Sequence, residues 1–220
     1  MSPRIVPPAP NPPAARSTYR HGDLRRALLD AGIELARDGG PDAVALREVT
    51  RRAGVVPNAA YRHFASRREL LLAVRAAALS AAASAMEKEL AVLPCDQPPV
   101  DFARAQVRAI GTGYLRFAQA EPGLFRTAFV VSSEDAEGEV GPARAGASGK
   151  DPFQLLGAAI DRLVEAGALD PSHRPNAEYL AWSAVHGLAL LIIEGPLKGM
   201  DAQSSHALGQ RLIDMVERGL

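Results

Sequence analysis

Four side chains between residues 58 and 63 have the types and spacing to contact a nucleic acid. Asn58 could form hydrogen bonds with the edge of an adenine, and Arg62 could meet a phosphate or the edge of a guanine. His63 could donate a hydrogen bond to a phosphate oxygen, and Tyr61 adds an aromatic group to the same segment. The segment therefore favours binding of DNA over catalysis.

Each of these four residues also has a structural alternative. Asn58 could cap the helix on which it lies, because asparagine is a common N-terminal cap. The ring of Tyr61 could pack in the core. Arg62 could be a solvated surface arginine, and His63 could be a partly buried ring. The residue types alone leave both alternatives open at every position.

The elements that would position these side chains form a helix-turn-helix pattern. An apolar-spaced helix over residues 46–53 ends at Gly54, where glycine adopts a left-handed conformation at low cost. Pro57 suits the first position of a second short helix, over residues 57–64. Ser66 and Glu69 have the spacing of a capping box that opens a long helix. Two short helices joined by a glycine turn are typical of a DNA-reading unit.

The rest of the chain also predicts helices, since no useful run alternates with a period of two. We expect an all-α fold of about nine helices. Beyond those above, the predicted helices cover residues 23–38, 66–93, 100–120, 124–131, 152–166, 176–194 and 202–218. The proline-rich residues 1–16 predict a disordered arm, and residues 132–150 predict a mobile loop. The domain boundaries follow as 17–70 for the helix-turn-helix unit and 71–220 for a larger helical domain.

The charge distribution separates the two predicted domains, although the whole chain has no net charge. Residues 1–80 contain 13 Lys and Arg against 7 Asp and Glu, a net charge of +6. Residues 81–220 contain 12 against 18, a net charge of −6. A basic N-terminal third favours a DNA-binding head on a body with another role.

Composition and motifs argue against several other classes of protein. The single cysteine, Cys95, allows no intramolecular disulfide and favours a cytoplasmic location. The five histidines lack metal-ligand spacing, so we expect no metal and no cofactor. We find no nucleophile elbow and no complete phosphate loop, so we expect no enzyme. The sequence has no signal peptide and no run of 18 apolar residues, which predicts no membrane span.

The N-terminal segment resembles the DNA-binding domain of the TetR family of bacterial transcription regulators. The resemblance covers about residues 19–74 and rests on Leu28, Leu29, Ala31, Val49, Gly54, Val55, Tyr61, Arg62, His63, Phe64, Ser66, Arg67, Glu69 and Leu70. Further along, Trp182, His186 and Gly187 resemble the signature of one C-terminal subgroup. The sequence departs from the family pattern at Ala45, where a Ser or Thr cap is usual, and at Val56, where a Ser is usual.

The resemblance implies two sets of site residues. Tyr61 would contact phosphate, and Arg67 would bind phosphate from the start of the fourth helix. Tyr19 and Arg20 could contact the DNA backbone from the arm. The candidate DNA contacts are Arg47, Asn58, Ala59, Tyr61, Arg62, His63 and Arg67. The candidate effector contacts are Phe102, Tyr114, Phe117, Phe125, Phe129, Trp182 and His186, for each of which core packing is the alternative.

The expected function is a ligand-responsive transcription regulator that binds a palindromic double-stranded DNA operator. We expect a repressor that a small-molecule effector releases, assembled as a homodimer through its last two helices. The apolar helix over residues 176–194 favours that dimer, because a partner subunit would cover one of its faces. An activator, or a small-molecule binding protein with a degenerate head, is also compatible with the sequence, and the effector is not identified.

Overall fold

The structure is a computed structural model that describes residues 21–129 and 142–220. The predicted arm, with Tyr19 and Arg20, lies outside the described residues, as does most of the predicted loop over residues 132–150. Within the described ranges the chain forms helices, turns and loops without any strand. The predicted all-α fold of about nine helices is confirmed.

The described residues form nine α-helices, α1 to α9 in chain order. Their bounds are His21–Gly39, Leu46–Arg52, Pro57–Ala60, Arg67–Ala91, Pro99–Ala120, Pro122–Phe129, Pro152–Glu165, Ala177–Ile193 and Ala202–Gly219. We call α1 to α3, together with the first turns of α4, the head. The remaining part of α4 and helices α5 to α9 are called the body.

The head has a small core made by apolar residues from each of its helices. Leu28, Val49, Phe64 and Leu70 are fully buried. Gly54, in the turn between α2 and α3, has a φ of 69°, which is the left-handed conformation that the sequence predicts there. Helix α3 is shorter than predicted and ends at Ala60 instead of continuing through Phe64.

Burial of Phe64 and the start of α4 together explain the early end of α3. Residues 61–63 form a turn, and Phe64 then enters the core, so the backbone must leave the helical path. Ser66 is extended, and its hydroxyl accepts a hydrogen bond from the Glu69 amide at 3.1 Å. The Glu69 carboxylate accepts from the Ala65 amide at 2.6 Å, one residue before the position expected for a capping box.

Helices α4 and α5 form the centre of the body. The two helices approach closely at Gly113, where a Cβ would lie 2.6 Å from the Cα of Met86. Of the described helices, α4 alone is long and apolar enough to cross a membrane, but it packs against α1, α5, α6 and α7. Its apolar character therefore reflects its place in the core.

Residues 142–150 differ from the predicted mobile loop. They include a 3₁₀ turn, Pro142–Arg144, and they are held against α4 by hydrogen bonds. The Ser80 hydroxyl donates to the Ala145 carbonyl at 2.7 Å, and the Glu87 carboxylate accepts from the amides of Ala147 and Ser148, each at 2.8 Å. Small, polar residues suggested mobility, but these distant partners on α4 order the segment.

Candidate functional site

The candidate DNA-contacting residues around α3 form an exposed surface. Asn58, Tyr61 and Arg62 point away from the core, and Tyr61 is 56% exposed, which rules out core packing as its role. The N-cap of α3 is Val56, with no side-chain hydrogen bond, so Asn58 does not cap this helix. Core packing of Tyr61 and helix capping by Asn58 are thus excluded, whereas the exposure of Arg62 fits both a solvated arginine and a contact with DNA.

His63 lies at the edge of the same surface and is half-buried. Its half-buried position fits both a packed ring and a ring that donates a hydrogen bond to phosphate.

A basic residue that the sequence analysis missed lies close by. The guanidinium of Arg25, on α1, is 4.7 Å from the centre of the buried Phe64 ring, a cation–π contact that adds positive charge beside α3.

Arg67 is bound to the head itself. Its Nε donates to the Val44 carbonyl at 2.7 Å, and its Nη2 donates to the Pro41 carbonyl at 2.8 Å. Both carbonyls belong to the connection between α1 and α2. Arg67 therefore ties the start of α4 to this connection, a structural role in addition to the predicted contact with phosphate.

The basic residues of α2 differ in how far their charge is neutralised. Arg47 is exposed. Arg51 forms an ion pair with Glu48, and Arg52 forms one with Asp38 at 3.3 Å. Arg47 is thus the better candidate on α2 for contact with phosphate.

Ala59, the remaining candidate DNA contact, lies on α3. It is half-buried and offers only a small apolar contact.

The body contains a half-open cavity of about 400 Å³ between α4 and the helices from α5 to α9. Its wall is mainly apolar and aromatic. The lining residues on which the argument depends are Ile110, Tyr114, Phe129, Phe153, Tyr179 and Trp182. Arg75, Arg144 and Asp151 add charged groups to the lining, so the cavity can hold an apolar molecule that carries a few polar groups.

A short hydrogen-bond network joins three of the predicted effector contacts. The Tyr114 hydroxyl lies 2.7 Å from Nδ1 of His186, and Trp182 Nε1 donates to the same hydroxyl at 3.0 Å. Since the hydroxyl accepts from Trp182, it can donate its own hydrogen to His186, with the imidazole neutral. Burial raises the pKa of Tyr114, an effect that the hydrogen bond from Trp182 partly offsets, and burial lowers the pKa of His186. These directions keep both groups uncharged near neutral pH.

The other predicted effector contacts lie in different places. Phe129 lines the cavity together with Tyr114 and Trp182. Phe125 is fully buried behind it, 4.9 Å from the Phe129 ring centre, so it supports the wall without lining it. Phe102 and Phe117 are not among the lining residues, and Phe117 is buried in the core.

Two aromatic residues of the cavity wall were missed by the sequence analysis. Phe153 and Tyr179 line the cavity, and their ring centres are 5.1 Å apart. Phe153 follows the capping residue Asp151 of α7, and Tyr179 precedes Trp182 by three positions on α8. That three-residue spacing was the available sign that Tyr179 shares a helical face with Trp182.

Helix α6 contacts both the cavity and the head. At its far end, Ala128 and Phe129 line the cavity. At its start, Gly123 lies so close to α1 that a Cβ would overlap the carbonyl oxygens of Ala36 and Arg37. The Arg37 guanidinium also donates to Glu121 at 2.8 Å, which fixes the same contact. One short helix therefore contacts both the cavity wall and α1.

Two family models match the chain over its head and most of its body. Residues 28–74 match the bacterial regulatory proteins of the tetR family. Residues 107–216 match the C-terminal domain described as tetracyclin repressor-like. The chain belongs to the TetR family. It is a DNA-binding transcriptional regulator, in a family whose members are typically ligand-responsive repressors.

Relatives and solved structures agree with this assignment. A match to the HTH-type transcriptional regulator BetI of Rhizobium meliloti (strain 1021) is 33% identical over 96 residues, which is 39% of this chain and about half, 47%, of the relative. A protein of unknown function from Rhodococcus sp. RHA1 has a TM-score of 0.72 at 26% identity, covering 93% of this chain and 99% of that one.

Two further structures share the fold. The TetR family regulator PfmR of Thermus thermophilus has a TM-score of 0.55 at 21% identity, over 88% of this chain and 98% of that one. A TetR variant from Acinetobacter baumannii AYE, solved in complex with minocycline, has a TM-score of 0.53 at 18% identity, over 92% and 96% of the two chains. TetR-family regulators bind DNA operators and small-molecule effectors, commonly as dimers.

Proposed function

We propose that this TetR-family regulator is a homodimeric repressor that releases a palindromic operator when a small molecule enters the cavity between α4 and α9. The observation that carries the proposal is the double contact of α6. The same short helix supplies Phe129 to the cavity wall and Gly123 to the contact with α1. We place the boundary between head and body within the first turns of α4, at residues 70 and 71.

The effector acts through its different affinity for two arrangements of the head. A ligand that fits the cavity better when α6 is displaced shifts the protein towards that arrangement. Displacement of α6 moves α1 through Gly123 and the ion pair between Arg37 and Glu121. Helix α4, which runs from the head at Arg67 into the body, is the second connection along which this movement travels.

An exposed apolar surface on α8 and α9 supports the homodimer. Leu180 is 63% exposed and Leu191, eleven residues later and so about three helical turns away, lies on the same face. Gly187 lies between them, and a Cβ there would meet nothing within 4 Å in the described part of the chain, which leaves room for close approach of a partner helix. Met215 on α9 is 62% exposed, and α9 packs beside α8. Two copies would bury these residues in a four-helix interface and place the recognition helices about 34 Å apart.

The effector that suits this cavity is a small apolar or aromatic molecule with few polar groups. The volume of about 400 Å³ lies within the range of small-molecule sites. The aromatic wall offers stacking surface, and Tyr114 offers a hydroxyl. The TetR variant from Acinetobacter baumannii AYE, which shares the fold, was solved in complex with minocycline. We place the protein in the cytoplasm, where its DNA target lies.

A second candidate is a small-molecule binding protein whose head no longer reads sequence. Ala45 at the start of α2 makes no side-chain capping bond, and Val56 at the start of α3 is exposed where the family usually has a serine. This candidate predicts DNA binding that is weak and indifferent to sequence.

The sole tryptophan, Trp182, makes the proposal testable, because it lines the cavity and reports on binding there. A compound library would be screened by Trp182 fluorescence, and each hit would be added to the protein bound to fluorescent DNA from beside its own gene. We expect the compounds that change Trp182 fluorescence to lower the anisotropy of the DNA. Compounds that occupy the cavity and never release specifically bound DNA would contradict the proposed mechanism.

A further inference from the structure

The arginines of the head differ in whether a carboxylate neutralises their charge. Arg25, on α1, is exposed and forms no ion pair within the described ranges. Other arginines of the head do form ion pairs: Arg26 with Asp30, Arg37 with Glu121, Arg51 with Glu48, and Arg52 with Asp38. The positive charge of Arg25 is therefore available to an anion from outside the chain.

An aromatic ring holds the side chain of Arg25 in place. Its Cζ atom lies over the Phe64 ring, 4.7 Å from the ring centre. Phe64 is fully buried whereas Arg25 is exposed, so the guanidinium covers the ring on its solvent side. A guanidinium is attracted to the face of an aromatic ring, and this contact restricts a side chain that is otherwise flexible. The charge of Arg25 is thus preorganised at the surface of the head.

The same ring places this charge beside the surface that contacts DNA. Phe64 directly follows the turn at residues 61–63, which carries Arg62 and His63. Arg25 belongs to α1, so it lies at the edge of this surface and not on the helix expected in the major groove. Phosphates border the groove on both sides, and arginines beside a recognition helix commonly bind them.

We propose that Arg25 is a DNA-contacting residue, whose guanidinium donates hydrogen bonds to a backbone phosphate beside the bases that α3 contacts. The contact joins two opposite charges and is therefore stronger than a neutral hydrogen bond. Phe64 is a positioning residue for this contact, in addition to its place in the core of the head. The proposal rests on DNA binding by the head, and it is independent of the effector and of whether the protein represses or activates.

The salt dependence of DNA binding tests the proposed contact. Arg25→Gln removes the charge and keeps a stem that can cover Phe64, and fluorescence anisotropy with random DNA would be titrated across a salt series. We expect the variant to reduce the salt slope by about 0.9 unit for each head on the DNA. Between about 50 and 200 mM salt, its affinity should then fall about 3.5-fold less per head than that of the wild type.

Two further variants serve as controls. Arg26→Gln removes the same charge from the neighbouring position on α1, where the side chain is 83% exposed and pairs with Asp30, and it should keep the wild-type slope. Arg62→Ala should reduce the slope and so shows that the assay detects a phosphate contact. An unchanged slope in Arg25→Gln beside a reduced slope in Arg62→Ala would overturn the proposal. Equal reductions in Arg25→Gln and Arg26→Gln would also overturn it, because the effect would then come from net charge alone.

A comparison of two DNAs separates a phosphate contact from a base contact. Arg25→Gln should weaken binding to random DNA and to DNA from beside the protein's own gene by the same factor, because phosphates carry no sequence information. A lower ratio of the two affinities, with the slope unchanged, would mean that Arg25 contacts a base, which contradicts the proposal.

A double-mutant cycle tests the role of the Phe64 ring. Phe64→Leu keeps an apolar side chain in the core and removes the ring, and thermal unfolding by circular dichroism would give a temperature at which every variant is folded. We expect Phe64→Leu to weaken DNA binding more when Arg25 is present than in the Arg25→Gln background. Equal losses in the two backgrounds would show that the ring does not position Arg25. None of these measurements uses an effector, so failure here is distinguishable from failure of the repressor model.

Discussion

Replacement of Tyr114 by phenylalanine isolates the hydrogen-bond network of the effector cavity. Tyr114 is 1% exposed, and its ring centre lies 5.4 Å from those of Phe125 and Phe129. Phenylalanine keeps these contacts and removes only the hydroxyl. Trp182 Nε1 then loses its acceptor at 3.0 Å, and His186 loses its partner at 2.7 Å.

The expected loss of stability follows from the two polar groups, on Trp182 and His186, that lose their hydrogen-bond partner. An unsatisfied buried donor or acceptor costs about 1–3 kcal/mol, and the cost for Trp182 and His186 is lowered because both are only partly buried. We therefore expect the free energy of unfolding to fall by about 1–3 kcal/mol in total. For a chain of this length, each kcal/mol lowers Tm by about 2–4 °C. The thermal midpoint should thus drop by about 2–12 °C.

The matched control is Tyr179→Phe, because Tyr179 lines the same cavity but is exposed. Thermal unfolding of both variants would be followed by circular dichroism, and effector affinity by Trp182 fluorescence. We expect Tyr179→Phe to melt within about 1 °C of the wild type, as exposed substitutions away from special features usually do. If Tyr114→Phe and Tyr179→Phe had the same Tm, the network would contribute nothing to the free energy of unfolding, and the reasoning would be refuted.

Four further variants test other parts of the account. Gly123→Ala adds a Cβ that overlaps two backbone carbonyls of α1, so it should destabilise the chain by about 1–3 kcal/mol and weaken DNA binding. In anisotropy and Trp182 titrations, unchanged DNA affinity would argue against coupling through α6. Arg67→Ala removes two hydrogen bonds to backbone carbonyls and should lower Tm. Arg62→Ala should leave Tm unchanged, and it should reduce the salt slope of DNA binding by about one unit. Equal melting curves for these two variants would show that Arg67 has no structural role. Burial lowers the pKa of His186, so below a pH of about 6.5 the unfolded state binds more protons and stability falls as pH falls. In His186→Gln, the free energy of unfolding measured in urea should lose this fall between about pH 7.5 and pH 5.5. A variant with the same pH dependence as the wild type would contradict this role of His186.

The sequence predicts the helices well because their ends carry local chemical information. Gly54, Ser66 and Asp151 each end or start a helix where the pattern indicates, since caps and turns depend on neighbouring residues. Helix α3 is the exception. Its end depends on burial of Phe64 against the rest of the head, which no local pattern records.

The cavity was harder to predict for a related reason. Tyr114 and Phe117 lie three residues apart on α5, yet only Tyr114 lines the cavity. Helix α5 packs against α4, α7, α8 and α9, so apolar residues point inward on most of its sides. Periodicity then cannot separate a cavity wall from a packed core. The contacts of Arg67 with carbonyls 23 and 26 residues away are likewise invisible to local patterns.

The central claim is that the exposed residues around α3 read a DNA sequence. The most direct test is fluorescence anisotropy with DNA from beside the protein's own gene and with random DNA of equal length, titrated across a salt series. The account predicts that binding to the flanking DNA persists at salt concentrations that release the random DNA, and that Asn58→Ala removes most of this difference. Binding of both DNAs with equal affinity and equal salt dependence would contradict it and favour the small-molecule binding protein with a degenerate head.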